Sequence, residues 1–201
     1  MLSDADLQVV LPGLNTTSLT AYLYRALDDD YLKSVNSLIG SRRANGRYHH
    51  RDDQLGTLYL AEDEMGAAAE LRQRRRSLLP PAPFQQDRAH GTYTAPFFVS
   101  LTRLIDLRQL EIQQALGTNP MELTGSWALQ NEHRQRAETQ RLGHAALSVG
   151  LEGLIYTSAT EYRGNNVVLF SRNLPIQLQA SLPKVFPEQS VQRVGDPEEP
   201  N

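Results

Sequence analysis

The sequence contains no cysteine, only 7% aromatic residues and none of the common nucleotide-binding motifs. Without cysteine, the 201 residues can form no disulfide, no thiolate metal site and no cysteine nucleophile. The five histidines show no HExxH or similar spacing, so we expect neither a metal site nor a bound cofactor. P-loop, GxGxxG and GxSxG motifs are also missing. Any chemistry must therefore come from arginine, glutamate, serine, tyrosine or histidine.

Membrane segments and a strong basic charge are absent as well. No stretch approaches the roughly 20 apolar residues of a membrane span, and the first residues lack the basic and apolar regions of a signal peptide. A net charge of −3 argues against general attraction to nucleic acid. With 40% hydrophobic and 21% charged residues, the composition is that of a globular protein. We therefore expect a cytoplasmic enzyme or binding protein without membrane contact or direct nucleic-acid binding.

The order of predicted elements favours one α+β domain. An irregular leader is predicted over 1–18, the domain over 19–186 and a loose acidic tail over 187–201. Strands are predicted at 19–27, 57–61, 96–105, 154–157, 167–171 and 176–182, and helices at 65–78, 107–116 and 127–149, the last being the longest. Helices among short strands without a regular βαβ rhythm are typical of α+β folds.

One polar loop carries candidate ligand-binding residues. Arg47 follows the turn signal Asn45-Gly46 and precedes Tyr48, so it could grip a pyrophosphate while the ring stacks on a base or ribose. The alternative is a surface arginine in a polar loop. The adjacent pair after Tyr48, His49-His50, is interpreted as solvated.

The remaining candidates are an acid on a helix and a hydroxyl at a strand end. Glu70 follows three alanines, whose small side chains allow a close approach, and it could stabilise a cation; alternatively it pairs with Arg74 at i+4. Ser158 ends a strand and either lines a ligand site or caps local backbone. Residues 163–166 (RGNN) are predicted to form a turn.

Taken in order, these segments resemble the RES-domain family, which is named for an Arg, a Glu and a Ser. The similarity covers about residues 19–175 and rests on LYRA at 23–26, GRY at 46–48, GTLYLA at 56–61, AAAE at 67–70, LTG at 123–125 with Trp127, QRLG at 140–143, GLIYTS at 153–158 and GNN at 164–166. The family usually has Trp and Asn after the Arg, whereas this chain has Tyr48 and His49.

The resemblance implies both a fold and an activity. It implies an ADP-ribosyltransferase-like mixed sheet core with surrounding helices, and a toxin that cleaves the nicotinamide–ribose bond of NAD with phosphate as co-substrate (an NAD phosphorylase). An Xre-type helix-turn-helix antitoxin would be the partner, and a homodimer stays open. The alternatives are a mono-ADP-ribosyltransferase acting on a protein and a non-enzymatic interaction module that keeps the fold.

The same resemblance implies roles for individual residues. The catalytic candidates are Arg47, Glu70 and Ser158, and the NAD-binding candidates are Arg25, Tyr48, Tyr59 and Asn166. Arg47, supported by Arg25, would hold the pyrophosphate or the acceptor phosphate. Tyr59 would pack near the nicotinamide ribose, and Glu70 would hold ribose hydroxyls or face the cation. Ser158 and Asn166 would bind the ligand from the opposite wall.

Overall fold

Five strands form a ring of backbone pairings to which a sixth strand is added. The computed structural model describes residues 1–28, 42, 44–53, 56–78, 92–175 and 192–194. The strands are β1 (Thr17–Asp28), β2 (Thr57–Ala61), β3 (Thr92–Asp106), β4 (Gly153–Thr157), β5 (Asn165–Phe170) and β6 (Gln192–Val194). Their order is β1-β2-β5-β4-β3-β6, and β1 also pairs with β3. Only β3 and β4 run parallel, so the sheet is mixed.

Helices of unequal length connect these strands. They are α1 (Asp4–Val10), α2 (Glu64–Leu78), α3 (Leu110–Ala115), α4 (Pro120–Thr124), α5 (Trp127–Glu132) and α6 (Glu138–Ser148). Short 3-10 turns cover Leu11–Gly13, Arg51–Asp53 and Ser171–Asn173. In the described residues, no helix has both the length and the apolar character that crossing a bilayer requires.

Two apolar cores lie on the two faces of the sheet. Alternate residues of β5 enter different cores, with Val168 and Phe170 in one and Val167 and Leu169 in the other. A strand covered on both faces reads as a continuous apolar run, which explains the sequence VVLF. The first core packs against α1 and α6, and the second lies between β1, β2, β3 and β5. The predicted single α+β domain with a mixed sheet core is confirmed.

The N-terminal residues predicted to form an irregular leader are ordered. Ser3 caps α1 by accepting a hydrogen bond from the Asp6 amide at 3.2 Å, and Leu7 and Leu11 are buried in the first core. Both apolar side chains gain stability by leaving water, which fixes the segment. Within the tail predicted to be loose, residues 192–194 pair with β3 as β6. The predicted strand at 176–182 lies outside the described residues.

The helix predicted over 127–149 is broken in two. α5 ends at Glu132 and α6 begins at Glu138, and Arg134 between them adopts a left-handed φ of 57°. Side chains satisfy polar groups at the break: Asn131 donates to the Gln135 carbonyl at 2.8 Å, and Gln140 accepts from the Ala137 amide at 3.0 Å. These hydrogen bonds compete with those of a continuous helix. The periodicity of apolar residues does not reveal such side-chain contacts, so the break was not predicted.

The turn predicted over residues 163–166 is shorter than expected, because Asn165 and Asn166 belong to β5. Asn166 pairs in register with Tyr156 of β4 and with Ala61 of β2. Cross-strand bonding therefore overrides the turn preference of asparagine. Arg163, just before β5, adopts a left-handed backbone conformation with a φ of 48°.

Candidate functional site

Glu70 sits on α2, whose start is fixed by the residues just after β2. Asp63 accepts a hydrogen bond from the Gly66 amide at 2.7 Å and so caps the helix. Ala67 and Ala68 are buried, and α2 packs against β1, β2 and β3. The small side chains let the helix approach the sheet closely, which places half-buried Glu70 beside the ends of β4 and β5.

One oxygen of the Glu70 carboxylate receives two hydrogen bonds from across the fold. Ser158 Oγ donates to Glu70 Oε1 at 2.5 Å, and Asn166 Nδ2 donates to the same oxygen at 2.6 Å. Within the described residues, nothing donates to Oε2, and Glu70 forms no ion pair with Arg74. The carboxylate is therefore fixed by one oxygen and can offer the other to a ligand. We call Glu70, Ser158 and Asn166 the carboxylate site.

The direction of the Ser158 proton follows from its neighbours. The Thr160 amide donates to Ser158 Oγ at 3.1 Å, and the two hydroxyls lie 2.8 Å apart. A carboxylate oxygen can only accept, so Ser158 directs its one proton to Glu70 and accepts from both the amide and the hydroxyl of Thr160. The Ser158 amide in turn donates to the Gly164 carbonyl at 2.8 Å, which fixes the residue at the end of β4.

Three tyrosines form a wall next to the carboxylate site. The rings of Tyr48 and Tyr156 pack with centroids 4.7 Å apart. Burial raises the pKa of Tyr48, Tyr59 and Tyr156, and the charge of Glu70 raises that of Tyr156 further. All three phenols therefore stay protonated at neutral pH. In the part of the chain that the structure describes, the Tyr48 hydroxyl and Asn166 Oδ1 are buried polar atoms without a hydrogen-bond partner.

The expectation that Tyr48 stacks on a ligand is not supported by its position. Its side chain is 0% exposed and lies in the first core, so its ring is covered by protein rather than offered to a base. An aromatic residue of this size gains more from core burial than from exposure. The sequence pattern RYHH gave no sign of this, since the residue stands in a polar stretch.

His49 also differs from the interpretation as a solvated residue. It is 3% exposed and lies 2.8 Å from the Ala44 carbonyl through Nε2 and 2.9 Å from the Tyr59 hydroxyl through Nδ1. A carbonyl only accepts, so Nε2 carries the proton and Nδ1 accepts in the neutral ring. The Tyr59 hydroxyl accepts from the Tyr48 amide at 2.9 Å. Tyr59 thus holds the loop that follows Arg47.

Arg47 lies between the tyrosine wall and the α4 region. Its Nη1 donates to the carbonyls of Leu123 and Gly125, both at 2.8 Å, which leaves three of its five N–H groups for other acceptors. The positive charge of Arg47 lowers the pKa of all three tyrosines, but burial raises each pKa by more. The charge is therefore close to the wall.

Gln140 and Gly143 of α6 hold the Arg47 loop in place. Buried Gln140 donates to the Gly46 carbonyl at 2.9 Å and exchanges two hydrogen bonds with Asn131 at 2.9 and 3.0 Å. At Gly143, any Cβ would collide with the carbonyl of Tyr48, so only glycine allows the helix to lie this close. These contacts give the segment QRLG a physical role.

Arg25 lies on β1, close enough to Arg74 of α2 for that charge to act on it. Burial and the charge of Arg74 lower its pKa to about 10. The phosphate role of Arg25 stays a prediction. No cluster of three or more metal-ligating side chains occurs among the described residues.

The structure brings together part of the predicted set and adds residues that the sequence did not single out. Glu70, Ser158 and Asn166 are joined by hydrogen bonds, and Tyr48 and Tyr59 belong to the neighbouring tyrosine wall, beside which Arg47 lies. The residues missed are Tyr156, Thr160, His49 and Gln140. Tyr156 could have been found, because it lies two positions before Ser158 and so on the same face of β4.

The fold and site define a class of protein: a mixed α+β domain with one carboxylate fixed by hydroxyl and amide donors beside a tyrosine wall. The RES domain model matches residues 22–189, and the chain belongs to this family. In three dimensions it resembles the crystal structure of the M. tuberculosis MbcT-MbcA toxin-antitoxin complex, with 17% identity and a TM-score of 0.64. That match covers 94% of this chain and 90% of the other. Among curated proteins, no sequence matches this chain.

Proposed function

We propose that this chain cleaves the nicotinamide–ribose bond of NAD, with phosphate as acceptor. The observation that carries the proposal is the Glu70 carboxylate, whose Oε1 is held by Ser158 and Asn166 while Oε2 accepts from no described residue. A fixed negative charge suits a reaction in which positive charge develops on a sugar, because preorganised charge costs no reorganisation in the transition state.

The reaction needs little proton chemistry. The bond between ribose C1′ and the nicotinamide nitrogen breaks, its electron pair stays on nitrogen, and nicotinamide leaves neutral. A phosphate oxygen then bonds to C1′, which gives nicotinamide and ADP-ribose 1″-phosphate. The leaving group needs no proton, so no general acid is required. This agrees with a site that offers a carboxylate and phenols that burial keeps protonated.

The geometry gives each residue a distinct role in this proposal. Glu70 would face the ribose cation or bind its hydroxyls through Oε2. Ser158 and Asn166 would act mainly by fixing Glu70, rather than by contacting the ligand as the sequence predicted. The three remaining N–H groups of Arg47 would bind the pyrophosphate, and Arg25 stays the candidate for holding the acceptor phosphate. Tyr59 stays the candidate for packing near the nicotinamide ribose.

The central experiment follows free nicotinamide after purified protein is mixed with NAD. We expect release that depends on phosphate and survives EDTA. Release without phosphate would indicate a glycohydrolase, and label from NAD on an added protein would indicate a mono-ADP-ribosyltransferase. No release under any condition would contradict the enzyme and favour a non-enzymatic interaction module.

A role as toxin is the second part of the proposal. It is supported by family membership and by the fold shared with a chain of a toxin-antitoxin complex. We expect expression of the chain alone to arrest growth and drain NAD, and an Xre-type helix-turn-helix antitoxin to restore both by covering the carboxylate site. Normal growth with undiminished NAD in cells that contain the folded protein would contradict this role.

A further inference from the structure

The loop that carries Ser158 is attached to the α2 region at two points, one partly buried and one exposed. It spans residues 158–164 between β4 and β5, and we call it the β4–β5 loop. At its start, Ser158 donates to Glu70 of α2. Near its end, the Tyr162 hydroxyl donates to Oδ2 of Asp63, the residue just before α2, at 2.9 Å. The first contact belongs to the carboxylate site, whereas the second lies outside it.

Asp63 connects the exposed contact to the helix that bears Glu70. Its Oδ1 accepts from the Gly66 amide at 2.7 Å and caps α2, while its Oδ2 accepts from Tyr162. The hydrogen bond to Asp63, desolvation and the Asp63 charge raise the pKa of Tyr162, so its phenol stays a donor at neutral pH. One carboxylate therefore fixes the start of the helix and the outer part of the loop relative to each other.

The Tyr162 ring also contacts both of these elements. A Cβ added at Gly66 of α2 would lie 3.4 Å from the ring, and one added at Gly164 of the loop would lie 2.9 Å from it. The ring thus lies against the helix and the loop at positions where neither has a side chain. Tyr162 is 45% exposed, so burial in a core does not explain this placement.

Hydrogen bonds within the loop connect the surroundings of Tyr162 to Ser158. The Ser158 amide donates to the Gly164 carbonyl at 2.8 Å, and the Thr160 amide donates to Ser158 Oγ at 3.1 Å. The Arg163 amide donates to the Thr160 carbonyl at 3.1 Å. Residues on both sides of Tyr162 are therefore tied to Ser158, so a displacement of the ring would displace the Ser158 hydroxyl as well.

From these contacts we propose that Tyr162 is a positioning residue, whose bond to Asp63 holds the β4–β5 loop where Ser158 meets Glu70. The inference rests on the proposed function, because it concerns the orientation of the same carboxylate. Tyr162 acts through Ser158 and does not contact the substrate. Because the bond is exposed, its loss should change the rate by no more than about three- to tenfold, the effect of one modest hydrogen bond.

The variant Tyr162→Phe keeps the ring and removes only the hydroxyl. In nicotinamide release, we expect kcat to fall about three- to tenfold while KM for NAD stays unchanged, since Arg47 is not part of the loop. Tyr22→Phe is the matched control, because that tyrosine is 62% exposed on β1 and its ring packs against Phe98. Both variants should melt as the wild type does. Wild-type kcat in Tyr162→Phe would overturn the proposal.

A double-mutant cycle separates positioning through Ser158 from a general structural effect. Ser158→Ala alone should lower kcat, because the loop loses its contact with Glu70. Adding Tyr162→Phe to that variant should then lower kcat no further. An equal fold loss in both backgrounds would show that Tyr162 does not act through Ser158, and it would overturn the proposal.

Amide hydrogen exchange tests the same contact without any turnover. In Tyr162→Phe, we expect faster exchange of the Ser158, Thr160 and Arg163 amides, which the hydrogen bonds of the loop protect. Tyr22→Phe should leave these amides as they are in the wild type. Unchanged exchange in Tyr162→Phe would overturn the proposal. Failure of the wild type to release nicotinamide would instead contradict the proposed function, and the exchange result would still decide whether Tyr162 holds the loop.

Discussion

Replacing Glu70 with glutamine tests whether the carboxylate is catalytic or structural. In the structure, Oε1 accepts from Ser158 and Asn166, and Oε2 accepts from no described residue. A glutamine can keep both bonds by turning its carbonyl oxygen towards these donors. Its amino group then takes the place of Oε2. The substitution removes the charge and presents a positive dipole where the sugar cation would develop.

The expected magnitudes separate stability from catalysis. In Glu70→Gln, the two hydrogen bonds are made to a neutral oxygen instead of a charged one, which lowers the free energy of unfolding by about 1 kcal/mol for each bond. Removing a half-buried charge restores part of that free energy. The melting temperature should therefore fall by only a few degrees, at about 2–4 °C for each kcal/mol. Loss of the charge facing the cation should cost about 3 kcal/mol, or on the order of a hundredfold in kcat.

The assay is nicotinamide release at saturating NAD, paired with thermal melting. Glu62→Gln is the matched control, because Glu62 accepts from Asn165, the neighbour of Asn166, at 2.8 Å, and is largely exposed. We expect the control to keep wild-type turnover. Glu70→Ala is less informative, since it leaves two buried donors unpaired and destabilises the fold. Wild-type turnover in Glu70→Gln would refute the catalytic role and leave only a structural one.

Three further predictions concern stability and pH. Gly143→Ala should destabilise the fold by about 1–3 kcal/mol, because the added Cβ collides with the Tyr48 carbonyl. Gly13→Ala is the control, since a Cβ added there meets no atom within 4 Å. Equal melting temperatures of the two variants would contradict the close packing at Gly143. Tyr59→Phe leaves the buried Tyr48 amide without its acceptor and removes one of the partners of the His49 ring, so it should cost about 1–3 kcal/mol in urea unfolding. Burial raises the pKa of Asp106, but the hydrogen bonds and charge of Arg108, together with a hydrogen bond from Gln109, lower it by more. That stabilisation is present above the unfolded pKa of about 3.9 and is lost as pH falls through the lower folded value. Arg108→Ala should therefore make melting less sensitive to pH below about 4, and an unchanged profile would contradict this.

Local patterns were sufficient for most of the fold. The strand at 57–61 was predicted with its observed bounds, and α2 begins one residue earlier than expected, with acids at its start as the helix dipole favours. Apolar runs such as VVLF identified β5 because both of its faces are buried. Family membership, predicted from the order of weak segments, is confirmed.

Features that depend on distant contacts were not predictable in the same way. The break between α5 and α6 depends on hydrogen bonds of Asn131 and Gln140, and the order of the N-terminal segment depends on Leu7 reaching the core. For the site, residue type suggested Glu70, but spacing alone favoured a pair with Arg74. The contacts of Glu70 with Ser158 and Asn166, 88 and 96 residues further along the chain, depend on the three-dimensional fold. The catalytic role of Glu70 stays a prediction.

Unsatisfied polar atoms lie beside the proposed catalytic carboxylate. Five buried side-chain atoms in the described part of the chain lack a hydrogen-bond partner. Two of them are Tyr48 Oη of the tyrosine wall and Asn166 Oδ1 of the carboxylate site. Each costs about 1–3 kcal/mol unless a ligand or water completes it. Arg47, three of whose N–H groups donate to no described residue, lies beside the same wall. A protein that only needed to fold would lose nothing by filling these positions with apolar atoms, so their place next to Glu70 supports the proposed role of this region in binding a polar ligand.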